Sequence, residues 1–181
     1  MNKENSLLSI KNLIGRAKQG DREAFGVLYT TYFTPVFRYI LIRMRSRQEA
    51  EDMTQTVFIK VWQSIYTYQE MGKPFLAWLF TIARNTIIDY SRKKKPLLVE
   101  DPIISQVDPS ALYERKEWVA EILKYMENLS EDQRDAVTMR FFGECGYSEI
   151  ACIMDKSEEA IRALVSRGLK HLRSESAHLT Y

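Results

Sequence analysis

Three of the chain's five prolines, Pro96, Pro102 and Pro109, fall between Lys95 and Ser110, beside Asp101, Ser105 and Asp108. Proline lacks the backbone donor that a helix interior needs, and it pushes the preceding residue out of the α region. The stretch reads as a linker over 96–116. It divides the chain into a first unit at 1–95 and a second at 117–181, each long enough for a small helical domain. With 45% hydrophobic residues in 181 positions, there is apolar material for one sizeable core or two small ones. Disorder, collagen and disulfide scaffolds are excluded by the same composition.

On both sides of the linker, apolar residues recur every three or four positions. Phe25, Leu28, Tyr29, Tyr32, Phe33, Val36, Phe37, Ile40 and Leu41 form one wide helical stripe. Pro35 lies inside it and predicts a kink or a break. Ser46 and Glu49 have capping-box spacing and open a helix through Tyr66, with Ala50, Met53, Val57, Val61 and Ile65 on one side. A loop from Tyr66 to Lys73 follows, and Pro74 suits the first turn of a helix from Phe75 to about Lys95. Beyond the linker, Trp118, Ile122, Leu123 and Met126 mark a helix over Leu112 to Leu129. Ser130 and Gln133 form a second capping box, opening a helix through Phe142. Ser148 to Met154, a turn at Asp155 and Lys156, and a helix from Ser157 to about Arg173 complete the chain. No strand alternation or hairpin dipeptide occurs, so the expected fold is all-α in two small helical units.

Several function classes drop out. Met1 to Gly15 has no continuous apolar core, and no apolar run approaches the roughly 18 residues of a spanning helix, so the expectation is a soluble protein of the cytoplasm. Cys145, Cys152, His171 and His178 do not have zinc-site spacing, and the two cysteines read as small thiols on one helical hairpin. Glu51 and Asp52 are adjacent and face different directions, no histidine lies in the first unit, and no Gly-rich phosphate loop exists. Neither catalysis nor a cofactor or metal is expected.

The formal net charge of +2 conceals an asymmetry. Met1 to Lys95 holds 16 Lys and Arg against 8 Asp and Glu, and Ala160 to Arg173 holds 4 basic residues and no acidic ones. Two basic patches on a near-neutral chain point to phosphates. The second patch belongs to the segment Tyr147 to Arg167, where a short helix, a tight turn and a longer helix, with Ala151 at the crossing, have helix-turn-helix spacing. Its second helix carries Arg162, Ser166, Arg167 and Lys170, and guanidinium groups match guanine edges and phosphates. The first patch follows Tyr66 and Tyr68 and runs through Arg84, Asn85, Asp89, Arg92 and Lys93. Aromatics beside a basic helix can stack unpaired bases, whereas Phe75, Trp78, Leu79 and Ile82 read as core. A third pattern, Glu51, Gln55, Phe58 and Trp62, combines aromatic anchors with polar groups, as a protein interface or a packed amphipathic helix would.

Together, the segments Gln48 to Phe58 (QEAEDMTQTVF), Phe75 to Asn85 (FLAWLFTIARN) with Asp89 to Arg92 (DYSR), and Tyr147 to Ala151 (YSEIA) resemble the extracytoplasmic-function group of sigma-70 RNA polymerase sigma factors. The resemblance runs from about Leu13 to Arg173, with only the linker unmatched. It departs at Ala163 and Leu164, where the family often has Ser and Arg, and at Gly168, where Ala is usual.

The resemblance implies a promoter-specific initiation factor with a region 2 and a region 4. Glu51, Asp52, Gln55, Phe58 and Trp62 would dock on the clamp helices of the polymerase β′ subunit. Tyr66, Tyr68 and Lys73 on the loop, with Arg84, Asn85, Asp89, Arg92 and Lys93, would hold the −10 element and assist melting. Arg162, Ala163, Ser166, Arg167 and Lys170 would read the −35 element, and the second unit would meet the β flap. The partners implied are core RNA polymerase, promoter DNA and an anti-sigma factor. The free chain would be a monomer without membrane insertion of its own, cytoplasmic and nucleoid-associated when active. The residues alone also admit a conventional regulator with an N-terminal sensor or dimerisation domain, which would footprint a palindrome without polymerase.

Overall fold

The computed structural model describes residues 3–44, 46–70, 73–93 and 124–176. Every regular element among them is a helix: α1 (Lys3–Lys18), α2 (Arg22–Met44), α3 (Arg47–Ser64), α4 (Phe75–Lys93), α5 (Glu131–Phe141), α6 (Tyr147–Met154) and α7 (Glu158–Ser176), with a 3-10 turn at Ile65–Thr67. The linker and the start of the helix expected over Leu112 to Leu129 lie outside the described residues. Residues 124–126, the described part of that segment's helix, lead into α5.

The helix starts follow local chemistry. Asp21 opens α2 by accepting from the N–H groups of Glu23 and Ala24 at 3.0 and 3.1 Å. Those bonds and the Arg16 side chain lower its pKa below the ordinary value. Ser46 accepts from the Glu49 N–H and opens α3. The Ser130–Gln133 box is complete in both directions and opens α5. Ser157 accepts from the Ala160 N–H at 3.2 Å and opens α7.

Pro35 neither breaks nor ends its helix, since α2 continues through it to Met44. The carbonyl that Pro35 leaves without an intrahelical partner belongs to Thr31, on the exposed side. Val36, Tyr39 and Ile40 are fully buried just beyond, so burial holds the helix together where its ladder is interrupted.

Helices α1 to α4 form the first unit, packed around Leu28, Val57, Val61, Leu79 and Phe80. Lys60 donates to Thr86 at 3.0 Å and Tyr90 to Glu49 at 3.2 Å, bracing α3 against α4. Helices α5 to α7 form the second unit around Ile150, Ile161 and Val165. The two units pack on each other through α4 against α6 and α2 against α5. One continuous cluster of buried side chains crosses the boundary, including Phe80 from α4 and Met139 from α5.

Gly168 has a packing reason that its sequence position does not reveal. A Cβ there would lie 2.8 Å from Val137 Cγ2, where α7 crosses α5. Valine is stiff about χ1, so the clash would have to be relieved by moving the helices apart. We expect Gly168→Ala to lower stability by about 1 kcal/mol in thermal unfolding, despite the roughly 1 kcal/mol that alanine gains in helix propensity. A stabilised variant would contradict this packing.

Candidate nucleic-acid and protein interfaces

Helix α7 presents its basic residues on one face. Arg162, Ala163, Ser166, Arg167 and Lys170 are all exposed, while Ile161, Val165 and Gly168 are buried on the opposite side. The turn before α7 depends on Asp155, which caps α6 in the left-handed conformation at φ 53° while its N–H reaches the Ala151 carbonyl. Aspartate tolerates that region better than most residues do. Arg162 is held in place by an ion pair with Glu158 and by stacking over the Tyr147 ring, 4.3 Å from its centroid. The guanidinium of Arg140 lies 5.1 Å from the same centroid. Tyr147 therefore orients a presented arginine, a role that reading α7 alone does not reveal.

The set around the 66–73 loop divides. Tyr66 is 68% exposed and Lys73 is exposed, so both are presented to solvent. Tyr68 is not: only 5% exposed, it is ringed by Phe75 and Trp78, and its hydroxyl donates to the Lys73 carbonyl at 3.0 Å. The expectation of an open stacking ring at Tyr68 is thereby corrected, because apolar burial of the ring outweighs its exposure on a loop. Lys18 of α1 donates to the Tyr68 carbonyl at 2.9 Å, and Lys11 pairs with Glu70 at 3.0 Å. These two contacts fix the loop from a helix that the motif reading leaves aside. Beside it lies a groove of about 430 Å³ lined in part by Ile10, Tyr32, Tyr68, Lys73, Phe75 and, from the second unit, Glu149. Burial, and then the charge of Glu149, push the Tyr32 hydroxyl up to about 12.

Along α4, Asn85, Asp89 and Arg92 are exposed and share one stripe by their spacing of four and three. Arg84 points elsewhere. Its Nε donates to Asp135 Oδ2 of α5 at 2.8 Å, so the second unit takes its guanidinium. The helix is described as far as Lys93, and its expected end near Lys95 lies outside the described residues.

The third set meets α2 in a groove of about 520 Å³ lined by Arg22, Phe25, Tyr29, Gln55, Phe58, Ile59, Trp62 and Gln63. Phe25 meets Trp62 edge-on at 4.8 Å, and Tyr29 meets Phe58 at 4.7 Å. Phe58 is the floor, only 5% exposed, whereas Ile59 is 56% exposed on the rim. Glu51 and Asp52 lie one to two turns earlier on α3, outside the groove lining, and Glu51 pairs with Arg47 at 2.8 Å. Arg22, Phe25 and Tyr29 are lining residues that the α3 pattern misses because they belong to α2, and Ile59 and Gln63 are lining residues of α3 itself that the pattern leaves out.

Helical packing and a helix-turn-helix with a basic outer face define a nucleic-acid-binding class of protein, with an aromatic groove on a separate face. The model of sigma-70 region 2 matches residues 28–96, and that of sigma-70 region 4 matches residues 120–172. The chain is 32% identical to the ECF RNA polymerase sigma factor SigM of Bacillus subtilis, over 81% of this chain and 91% of that protein. It is also 32% identical to the ECF RNA polymerase sigma factor BldN of Streptomyces coelicolor, over 88% of this chain and 63% of that longer protein. The fold resembles that of CnrH, solved in complex with the cytosolic domain of CnrY, with a TM-score of 0.71 at 20% identity, covering 92% of this chain and 96% of that one. The chain belongs to the sigma-70 family, in its extracytoplasmic-function group. As such it is a transcription initiation factor and not an enzyme. Among the described residues, no helix is long and apolar enough to cross a membrane.

The groove geometry separates two variants that the α3 pattern treats alike. We expect Phe58→Ala to cost about 3–5 kcal/mol, the usual cost of emptying a buried phenylalanine site. Ile59→Asp on the exposed rim should change stability by no more than about 0.5 kcal/mol. Denaturant unfolding of both checks this, and equal losses would mean that Ile59 is also structural.

Proposed function

We propose that the chain directs core RNA polymerase to promoters that carry −35 and −10 elements and helps open the DNA at the latter, under the control of an anti-sigma factor. The single observation that carries this is the coexistence of two outward surfaces of different chemistry: the aromatic groove of α2 and α3, and the arginine face of α7. A regulator that binds DNA without a protein partner needs only the second.

In this reading the groove takes the clamp helices of the polymerase β′ subunit. Ile59 and Trp62 act as rim anchors, Gln55 as a polar neighbour, and Glu51 and Asp52 as the acidic approach along α3. Tyr66 and Lys73 with Asn85, Asp89, Arg92 and Lys93 hold the −10 strand. Tyr68 acts beneath them as a fixed wall of the groove. Flipping a base out of a duplex costs a few kcal/mol, and a basic stripe beside a shaped groove offsets that without nucleotide hydrolysis. Arg162, Ala163, Ser166, Arg167 and Lys170 read the −35 duplex, with Tyr147 and Glu158 orienting Arg162 before contact. The second unit also meets the β flap. The boundaries 1–95, 96–116 and 117–181 serve as region 2, linker and region 4. The solved sigma factor RpoE of Bartonella quintana is in complex with the anti-sigma factor NepR, and an anti-sigma partner of that kind is the proposed regulator here.

The test is capture of purified bacterial core polymerase by the full chain. We expect stoichiometric binding by the wild type and at least tenfold weaker binding by Ile59→Asp/Trp62→Ala with the fold intact. Equal binding by that variant would overturn the groove assignment. At the other surface, Tyr147→Ala should weaken −35 duplex binding by the assembled complex about two- to fivefold, with Tyr147→Phe near wild type. Arg162→Ala/Arg167→Ala should flatten the dependence of log affinity on log salt by about 2 units. An unchanged salt slope would remove both arginines from the phosphate contacts.

A further inference from the structure

The function does not absorb a carboxylate receptor on the first unit, built from Tyr39, Arg43 and Arg84. Its occupant is Asp135 of α5, which is 2% exposed. Tyr39 donates its hydroxyl to Asp135 Oδ1 at 3.1 Å, Arg84 Nε donates to Oδ2 at 2.8 Å, and Arg43 Nε lies 3.5 Å from Oδ1. Tyr39 is completely buried, and burial together with Asp135 raises its pKa well above the ordinary value, so it remains a donor. The Arg43 side chain is only 7% exposed, and its Nη1 has no hydrogen-bond partner among the described residues. A guanidinium kept at such a depth without full pairing is costly unless an anion is delivered to it. That anion comes from the other unit, because all three groups around Asp135 belong to α2 and α4.

We propose that the Tyr39, Arg43 and Arg84 pocket is a latch site for Asp135, that it holds the chain closed, and that Arg84 acts there rather than on promoter DNA. The proposal rests on the sigma-factor reading for what closure prevents. Elements about 25 base pairs apart at about 3.4 Å each are separated by roughly 85 Å. A compact chain of this length is about 40 Å across. The closed form cannot reach both elements, and it also places Glu149 in the groove beside Lys73, where its charge opposes a nucleic-acid strand. Gly143 permits the approach, since a Cβ there would lie 2.7 Å from the Phe80 ring. The helical register supports the reassignment of Arg84, whose side chain leaves the Asn85, Asp89 and Arg92 stripe.

The two roles for Arg84 predict opposite signs. If Arg84 holds DNA, Arg84→Gln weakens binding of a −10 single strand; if it holds the latch, the variant opens the chain. We expect Asp135→Asn and Arg84→Gln in the free full-length chain each to raise the radius of gyration by a quarter or more in small-angle scattering. The double variant should add nothing further. Both should bind a −10 strand oligonucleotide at least threefold more tightly than the wild type, with helical circular dichroism unchanged. Gly143→Ala, which leaves every charge in place, should open the chain in the same direction by sterics. Unchanged scattering in Asp135→Asn and Arg84→Gln overturns the latch, as does opening by Asp135→Asn but not by Arg84→Gln. A wild-type chain that ignores core polymerase overturns the promoter role instead, and the scattering decides the latch independently of that result.

Discussion

One buried carboxylate sits at the centre of the contact between the two halves of this protein. Asp135 enters the first unit beneath α2 and α4, where it accepts from the Tyr39 hydroxyl and the Arg84 guanidinium and lies beside that of Arg43. An ion pair in such a place adds little net stability over an apolar contact, because desolvation consumes most of the attraction. Removing one partner, however, leaves the other buried and uncompensated, at a cost of about 3–5 kcal/mol. The contact therefore specifies one docked arrangement more than it strengthens it. Around it, Arg38 and Glu144 approach to 3.4 Å at the rim, where water screens them, and the buried Arg43 side chain reaches the exposed Glu131 at 3.4 Å.

That arrangement leaves two surfaces clear and sets an acidic side chain beside a third. The aromatic groove between α2 and α3 and the arginine face of α7 both point to solvent in the closed chain, while Glu149 lines the groove beside Lys73. The groove proposed for a protein partner thus remains available when the two units are too close together to span a promoter. Each reading surface is carried on a helix braced by its own unit: Lys60 and Tyr90 fix α4, and Gly168 allows α7 to seat closely on α5. Side chains held on such elements keep their geometry when the units separate, as recognition by a few arginines requires.

Much of this was legible in the sequence. Helical period, capping residues and the turn at Asp155 report on neighbours within a few residues, and they located α3, α5, α6 and α7 closely. The basic face of α7 followed from the same periodicity. At Pro35 the helix does not break, because the local cost is offset by the burial of Val36, Tyr39 and Ile40, which only the packed structure reveals. Tyr68 was misread for the converse reason: loop position suggested exposure, yet Phe75 and Trp78 enclose its ring. The pairing of Asp135 with Arg84 joins residues in different units, on opposite sides of the proline-rich linker. No local pattern points from one to the other, and Arg84 in its motif looked like a DNA contact.

The central claim is that the chain confers promoter choice on core polymerase. It is tested most directly by single-round transcription with purified bacterial core polymerase on a library of randomised −35 and −10 sequences, with and without the full chain. The account predicts transcripts only when the chain is present, from templates sharing two motifs at one fixed spacing. Transcription unaffected by the chain, together with a palindromic footprint from the chain alone, would contradict it.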